Sequence, residues 1–222
     1  MKIILSPAKK MVTDTDSIAP VGMPEFLDKT TEILSWMKSL KKEKLKAIWK
    51  CNDKIAGQNF EDGQFAYIQK HLRILSAFYG VLKPLDGVKP YRLEMQAKVT
   101  IGDTKNLYDY WKDQLYQAVI DDSRVIINLA SKEYSKCIEK YLTPDDKYIT
   151  VTFCELSKGK LVTKGTYAKM ARGEMVRYMA ENSIEDPAGI QKFNRLGYRF
   201  REDLSSETEY IFEIRLPQSH CL

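Results

Sequence analysis

The chain has 222 residues, 44% of them hydrophobic, which is the composition of a globular protein and excludes long disorder. Its 35 Lys and Arg against 30 Asp and Glu give a net charge of +5, which permits a nucleic-acid partner without requiring one. No apolar run is long enough to span a membrane, and the first residues are too short for a signal peptide, so we expect a cytoplasmic protein.

The cysteines and histidines are too scattered to indicate a metal site. No CxxC pair exists, so the sequence predicts reduced, mostly buried thiols, no bound metal and no cofactor. The residues concerned are Cys51, Cys137, Cys154, Cys221, His71 and His220.

Hydrophobic spacing and the positions of Pro and Gly predict the elements of the first half of the chain. In order, these are a strand at 2–5, a surface loop at 11–24, a helix from Pro24, a helix after Lys41-Lys42 and an amphipathic helix at 64–77. The following stretch, 78–95, contains two glycines and two prolines and cannot be one regular element.

The second half predicts strands and helices in irregular alternation. They are a strand at 99–101, a helix at 107–120, a strand at 125–129, a helix at 132–142, a hairpin of strands at 148–156 and 160–164, a helix at 167–182 and a strand at 210–214. The pattern predicts an α/β fold, with a mixed β-sheet flanked by helices, in a single domain over 1–215. The tail at 216–222 has no assigned function.

Two lysines follow elements where a ligand contact is plausible. Lys9 lies directly after the first strand, and loops at strand ends commonly contact ligands, although a solvated turn is the favoured alternative. Lys83 lies in 78–86, where a helix, a glycine hairpin and a second short helix would aim backbone N–H groups at a phosphate. This is a partial resemblance to a helix-hairpin-helix element, and a structural corner explains it equally well. The Leu40-Lys41-Lys42 hinge is a second, weaker place for such an element.

Arg92 and Lys132 are candidate phosphate contacts with ordinary alternatives. At strand spacing Arg92 and Glu94 point to one face, as a structural salt bridge or as a phosphate clamp. Ser131 is a natural helix cap. Lys132 begins a basic helical stripe with Lys136 and Lys140, and such a stripe is usually only a solvated face.

The pattern around Gly173 carries the most weight. Lys169, Arg172 and Gly173 share one face of a predicted helix, apart from the core-facing stripe. Glycine inside a helix costs about 1 kcal/mol relative to alanine, so its presence indicates a close approach to the backbone by a packed neighbour or by a ligand. A packed neighbour is the commoner cause, but the two cations shift the interpretation towards an anionic ligand.

Taken together, these segments resemble the YaaA family of bacterial peroxide-stress proteins. The residues that carry the resemblance are Leu5-Ser6-Pro7-Ala8-Lys9, 75–86, 90–95, 107–111, 126–131 with Glu133-Tyr134, 168–173, Phe193-Asn194 and Gly197-Tyr198. Relatives in that family have a longer segment between the counterparts of Asn59-Phe60 and Gln64-Phe65, so we expect either a truly shortened loop or a stretch closed up by the numbering.

The resemblance implies a peroxide-induced cytoplasmic protein linked to limiting free iron and to DNA repair. It also implies binding of double-stranded DNA through a basic cleft with a helix-hairpin-helix element, on an unusual mixed α/β topology, with repair or recombination proteins as further partners. It supplies no established reaction. From charge and motif position, we expect DNA contacts from Lys9, Lys83, Arg92, Lys132, Lys169 and Arg172, with Tyr79 and Tyr91 as candidates for stacking on unpaired bases.

Two other functions stay open from the sequence. The protein could be an enzyme acting on nucleic acid or a nucleotide, with Lys9 as nucleophile and Asp86 or Glu94 as acid or base, although nothing in the spacing requires this. Direct iron binding is disfavoured because the residue pattern of a metal site is missing, so any effect on iron is expected to be indirect.

Overall fold

The computed structural model describes residues 1–8, 20–40, 62–157 and 159–214, and within these residues eight strands form one sheet. The strands are β1 (Lys2–Leu5), β2 (Leu72–Ser76), β3 (Gly80–Leu82), β4 (Val125–Asn128), β5 (Lys147–Ser157), β6 (Lys160–Val162), β7 (Tyr198–Phe200) and β8 (Glu209–Ile214). The α-helices are α1 (Leu27–Ser39), α2 (Asp62–His71), α3 (Leu107–Trp111), α4 (Gln114–Val119), α5 (Lys132–Glu139) and α6 (Gly165–Glu181). Short 3₁₀ helices lie at Pro187–Lys192 and Glu202–Leu204.

The strand order is β3-β2-β1-β4-β5-β8-β7, with β6 paired to the end of β5. The five strands β2, β1, β4, β5 and β8 run parallel, and Ile3 of β1 lies opposite both Leu72 and Ile127. The other three strands are antiparallel to their neighbours. The sheet is therefore mixed and flanked by helices, as the sequence predicts.

Alternating side chains of the central strands supply two separate cores, one on each face of the sheet. Ile4 and Ile126 face a core shared with α1, α3, α4 and α5. Ile3 and Ile127 face the opposite core, which includes residues of α2 and α6. No helix of the described residues combines the length and the hydropathy that crossing a bilayer would need.

The predicted helix at 64–77 is wrong in its second half. The helix α2 ends at His71, and the next five residues are the strand β2, which is buried along most of its length. A short apolar run fits both a helix and a strand buried on both faces, so local spacing could not separate the two. Pairing with β1 and β3 decides the matter.

The helix-hairpin-helix prediction at 78–86 is also wrong for this segment, because β2 and β3 form an antiparallel hairpin there. Tyr79 N donates to Ser76 Oγ and closes the tight turn between the two strands. The second place named for such an element, at Leu40-Lys41-Lys42, lies outside the described residues except for Leu40.

Smaller corrections concern three other segments. The predicted helix at 107–120 is two short helices, broken at Lys112, which has a φ of 48°. The predicted strand at 99–101 is irregular chain, although Val99 is buried. The sequence did not predict the strand β7. The β5–β6 hairpin and β8 confirm the prediction, while the helix after Lys41-Lys42 and the tail at 216–222 lie outside the described residues.

Gly80 is required at the start of β3 for two reasons. Its φ of +78° lies in the left-handed region that side chains rarely adopt. A Cβ at this position would also lie 2.8 Å from a ring atom of Phe26 and 2.9 Å from a ring atom of Trp111. Trp111 cannot withdraw easily, because it is fully buried and its Nε1 donates to Ala77 O.

We expect Gly80→Ala to lower the free energy of unfolding by about 3 kcal/mol, the combined effect of left-handed strain and overpacking. Gly102→Ala is the matched control, because Gly102 has a φ of +55° but no described atom within 4 Å of its would-be Cβ. It should cost about 1 kcal/mol. Urea unfolding of both variants measures the difference, and equal losses would contradict the steric contribution.

Candidate functional site

The carboxyl ends of the central parallel strands meet at one edge of the sheet. The strands β1, β2 and β4 end there at Leu5, Ser76 and Asn128, and the residues that follow each strand project beyond it. In open α/β sheets, ligands bind outside the carboxyl ends of the strands. We call this side of the sheet the carboxyl edge.

A serine pair joins the chain after β1 to the loop after β4. Ser6 Oγ accepts a hydrogen bond from Ser131 N at 2.8 Å and donates to Ser131 Oγ at 3.1 Å. The Ser131 side chain, predicted as a helix cap, makes no capping hydrogen bond to α5. The pair therefore holds two neighbouring strand ends in a fixed relation instead.

The side chain of Asn128 also holds the loop after β4 in place, through two hydrogen bonds. Its Oδ1 accepts from Ala130 N at 2.9 Å, and its Nδ2 donates to Thr150 Oγ1 on β5 at 3.3 Å. The side chain is only 2% exposed, so both amide groups need these partners. Asn128 is a structural residue of the carboxyl edge rather than a ligand contact.

At the end of β2, Ser76 and Tyr91 form a second polar pair. Ser76 Oγ lies 2.7 Å from Tyr91 OH and accepts from Phe78 N and Tyr79 N as well. Burial raises the pKa of Tyr91 to about 12, so the phenol is protonated at neutral pH. Sequence reasoning missed Ser76 because it placed the residue in a helix, and the apolar run before it was the available signal.

Tyr79 and Tyr91 do not face solvent as stacking platforms. Tyr91 stacks on Phe78 at 5.2 Å between centroids and meets Tyr79 edge to face at 5.3 Å. Tyr79 is only 5% exposed, and its hydroxyl accepts from Lys89 N. The aromatic cluster is a packed wall of the carboxyl edge, which corrects the expectation that these rings stack on bases.

Arg92 is held by an acid. Its guanidinium lies 3.0 Å from Glu94 Oε1, with side-chain exposures of 15% and 14%. Of the two alternatives left open by the sequence, the structure shows the salt bridge. An anion that bound Arg92 would have to compete with Glu94.

The helix α6 begins at the carboxyl edge and runs towards the opposite edge. Just before its first residue, Lys164 Nζ lies 2.7 Å from Glu155 Oε1 near the end of β5. Beyond its other end, Glu185 contacts His71, the residue before β2. Lys169 and Arg172 thus lie in the half of α6 nearer the carboxyl edge, and Lys169 is exposed.

Arg172 is a half-buried cation without a partner among the described residues. It lies one helical turn from Ala168 and Val176, both buried, so its stem borders the core. Its Nε is buried with no hydrogen bond, and burial alone lowers the pKa of the guanidinium. A desolvated, unpaired charge is costly, which makes this position receptive to an anion.

Gly173, next to Arg172, is open. No described atom lies within 4 Å of the position that a Cβ would occupy there. A packed neighbour among the described residues therefore does not explain the glycine.

The remaining predicted residues do not join this group. Lys83 follows β3, and because β3 runs antiparallel to β2 it lies beside Arg73 at the opposite edge. There burial, and then the charges of Arg73 and Lys83, lower the pKa of Lys2. Lys132 is 77% exposed and lies 3.3 Å from Glu139. Lys9 lies outside the described residues.

The two acids proposed for an enzyme lie at different edges. Asp86 Oδ2 accepts from Lys83 N at the end of the β2–β3 hairpin, and Glu94 pairs with Arg92. In the described part of the chain, no three His, Cys, Asp or Glu side chains lie close enough together to hold a metal ion. Cys137 and Cys154 are free and buried, as predicted for the thiols.

Comparison with known proteins assigns the family. The family model described as peroxide stress protein YaaA matches residues 1–64 and 57–204. The chain belongs to this family. A protein of Agathobacter rectalis named UPF0246 protein is 64% identical over 248 residues, covering 97% of this chain and 100% of the relative. One from Lachnoclostridium phytofermentans is 47% identical over 244 residues, covering 96% of each chain.

The YaaA match also bears on the loop length near Phe60. The two matched stretches overlap at 57–64, within the region where the sequence predicts either a shortened loop or a stretch closed up by the numbering. The alignment with the Agathobacter relative spans 248 positions, which exceeds the 222 residues of this chain, so the relative has positions without a counterpart here. Residues 41–61 lie outside the described part of the structure.

Removing the serine pair should loosen the carboxyl edge. We expect Ser6→Ala to lower the free energy of unfolding by about 1–2 kcal/mol, because Ser131 N loses its acceptor in a partly buried loop. The control is Ser39→Ala, which removes an exposed hydroxyl that donates to Trp36 O and should change stability by less than about 0.5 kcal/mol. Urea unfolding of both variants tests this, and an undiminished Ser6→Ala stability would show that the pair is not structural.

Proposed function

We propose that the protein binds DNA, double-stranded or structured and without sequence preference, at the carboxyl edge. Binding there would serve the peroxide-stress response of the YaaA family through DNA protection and repair. The supporting observation is the unpaired, half-buried guanidinium of Arg172 beside the exposed Lys169 and the open backbone at Gly173. A phosphate at this place would accept hydrogen bonds from the guanidinium, whose Nε has no partner among the described residues.

The proposed surface extends from the first half of α6 across the ends of β1 and β4. Lys169 contributes a solvated charge, and Arg172 a directed fork of donors. Arg92 would contribute only by exchanging Glu94 for phosphate. Lys9, which lies outside the described residues, belongs to the proposal through the family resemblance alone.

Independence of sequence follows from the types of group at this edge. Cations and backbone amides recognise phosphate, which is the same at every base pair, and the tyrosines of the edge are packed away from solvent. Affinity should therefore depend on ionic strength through counterion release and little on base sequence. Any limitation of intracellular iron is proposed to be indirect, through the stress response rather than through bound metal.

The double variant Lys169→Met/Arg172→Met should lower the salt dependence of DNA binding by two phosphate contacts. We expect the slope of log K against log salt to become shallower by about 1.8, with weaker binding at every duplex sequence tested. Fluorescence anisotropy with a labelled duplex measures the slope. Lys83→Met is the matched control, because it removes a cation from the opposite edge and should leave the slope unchanged.

Stability should separate this effect from misfolding. Removing the unpaired guanidinium while keeping an apolar stem should leave the free energy of unfolding unchanged or raise it by up to about 1 kcal/mol. An unaltered slope in the double variant, or a slope lost in Lys83→Met instead, would contradict the proposed surface.

Gly173→Ala tests the close approach of DNA to α6. The methyl group meets no described atom, so alanine should raise the free energy of unfolding by about 0.5–1 kcal/mol. Binding of DNA should nevertheless weaken, since the methyl occupies the space of the phosphate. Urea unfolding and anisotropy on the same sample measure both quantities. A more stable variant with full DNA affinity would show that DNA does not closely approach the backbone of α6 at Gly173.

A further inference from the structure

A cavity of about 320 Å³ lies on the other face of the sheet from α6, between the start of α3 and the end of α5. Its lining residues are Lys105, Asn106, Tyr108, Asp109, Lys136, Cys137, Lys140 and Tyr141. The volume falls in the range of sites that hold small molecules rather than polymers. We call this cavity the three-lysine pocket.

The charges of the three-lysine pocket are unbalanced. None of the ammonium groups of Lys105, Lys136 and Lys140 forms an ion pair with a described residue, whereas Lys132 on the same stripe is paired with Glu139. The single carboxylate in the lining is Asp109, whose Oδ2 accepts from Lys105 N. Three cations and one carboxylate leave the lining with a net charge of about +2, which is opposite in sign to the charge of about −1.5 to −2 on a phosphate monoester at pH 7.

The rest of the lining is uncharged and includes two aromatic rings, those of Tyr108 and Tyr141. Burial raises the pKa of the Tyr108 phenol and of the Cys137 thiol to about 12, so both are protonated and add no negative charge. Tyr108 is held in place because its hydroxyl donates to Glu133 O at 2.9 Å. The ring of Tyr141 lies 5.4 Å from Lys140 Nζ. Aromatic side chains beside cations suit a planar ring that carries a charged substituent.

We propose that the three-lysine pocket binds a small phosphate monoester that carries an aromatic ring, such as a nucleoside monophosphate. The phosphate would lie among the three lysines, which bind phosphate as mobile point charges, and the ring would pack against Tyr108 and Tyr141. This site is separate from the proposed DNA surface. It would give the protein a small-molecule ligand in addition to a polyanion.

Isothermal titration of the full chain with AMP and with phenyl phosphate tests the proposal, with adenosine and inorganic phosphate as partial ligands. We expect saturable binding of at least one ester and at least tenfold weaker binding of adenosine and of phosphate. In NMR spectra of the same titration, the ring resonances of Tyr108 and Tyr141 should shift. Lys136→Gln/Lys140→Gln should weaken ester binding at least tenfold. Lys38→Gln/Lys147→Gln removes the same charge from exposed positions outside the pocket and should change it less than twofold.

Three results would overturn the proposal. They are no saturable binding of either ester, equal affinity of both double variants, and binding of inorganic phosphate as tight as that of the esters. If Lys136→Gln/Lys140→Gln weakened duplex binding and left ester binding unchanged, these lysines would belong to a DNA surface and the pocket would have no ligand role. Because both double variants change exposed lysines, unfolding curves that overlay the wild type confirm that folding is intact.

Discussion

The parallel pairing of β1 between β2 and β4 determines where polar groups can gather in this protein. Because the three strands point the same way, the segments that follow Leu5, Ser76 and Asn128 meet at one edge, although they are far apart in the chain. The Ser6–Ser131 and Ser76–Tyr91 hydrogen bonds then fix these segments relative to the strands. The helix α6 starts on the same side of the sheet, beside Glu155, in the part of β5 that extends beyond the partner of Asn128. A mixed sheet with a different order would scatter the same residues.

The cations of this protein differ in whether an acidic group lies beside them, and this matters more for anion binding than how many cations there are. At the edge opposite the carboxyl edge, here called the amino edge because the parallel strands begin there, Lys2 is paired with Asp121 and donates to Lys70 O. Arg92 and Lys132 each have an acid nearby. Arg172 differs because it forms no ion pair with a described residue, although its Nε is buried and burial lowers the pKa of its guanidinium. The net charge of +5 therefore says little about where an anion could bind, and the proposed function rests on the local surroundings of individual cations.

Local sequence predicted the elements whose pattern fits only one structure. The strand β4 and the β5–β6 hairpin are examples. An apolar run followed by a helix-capping serine favours a strand, and two strand-like runs separated by a short glycine-containing segment favour a hairpin. The strand β2 could not be separated from the helix before it, because Leu72 to Leu75 satisfies both periods. Because β2 was predicted as helix, Ser76 was also placed in a helix and the β2–β3 hairpin was not predicted. The position of Lys83 could not be predicted either, because it depends on the direction of β3.

The candidate site was predicted only in part, because local spacing shows which side chains share a helix face but not what they contact in the folded protein. The grouping of Lys169, Arg172 and Gly173 follows from helical spacing, but the burial of Arg172 depends on how α6 packs against the sheet, which spacing does not contain. The ion pair of Arg92 was one of two alternatives until the structure joined it to Glu94. The packing of Tyr79 against Tyr91 is a tertiary contact that the sequence does not show.

Hydrogen exchange of the full chain with and without a 20-base-pair duplex tests the placement of the DNA surface most directly. Slower exchange should be concentrated in the first half of α6 and in the loops after β1 and β4. Residues 83–88 and 121–124, at the other edge, should exchange at unchanged rates. Slowing confined to those amino-edge segments, or no slowing under conditions where the duplex is bound, would contradict the assignment of DNA binding to the carboxyl edge.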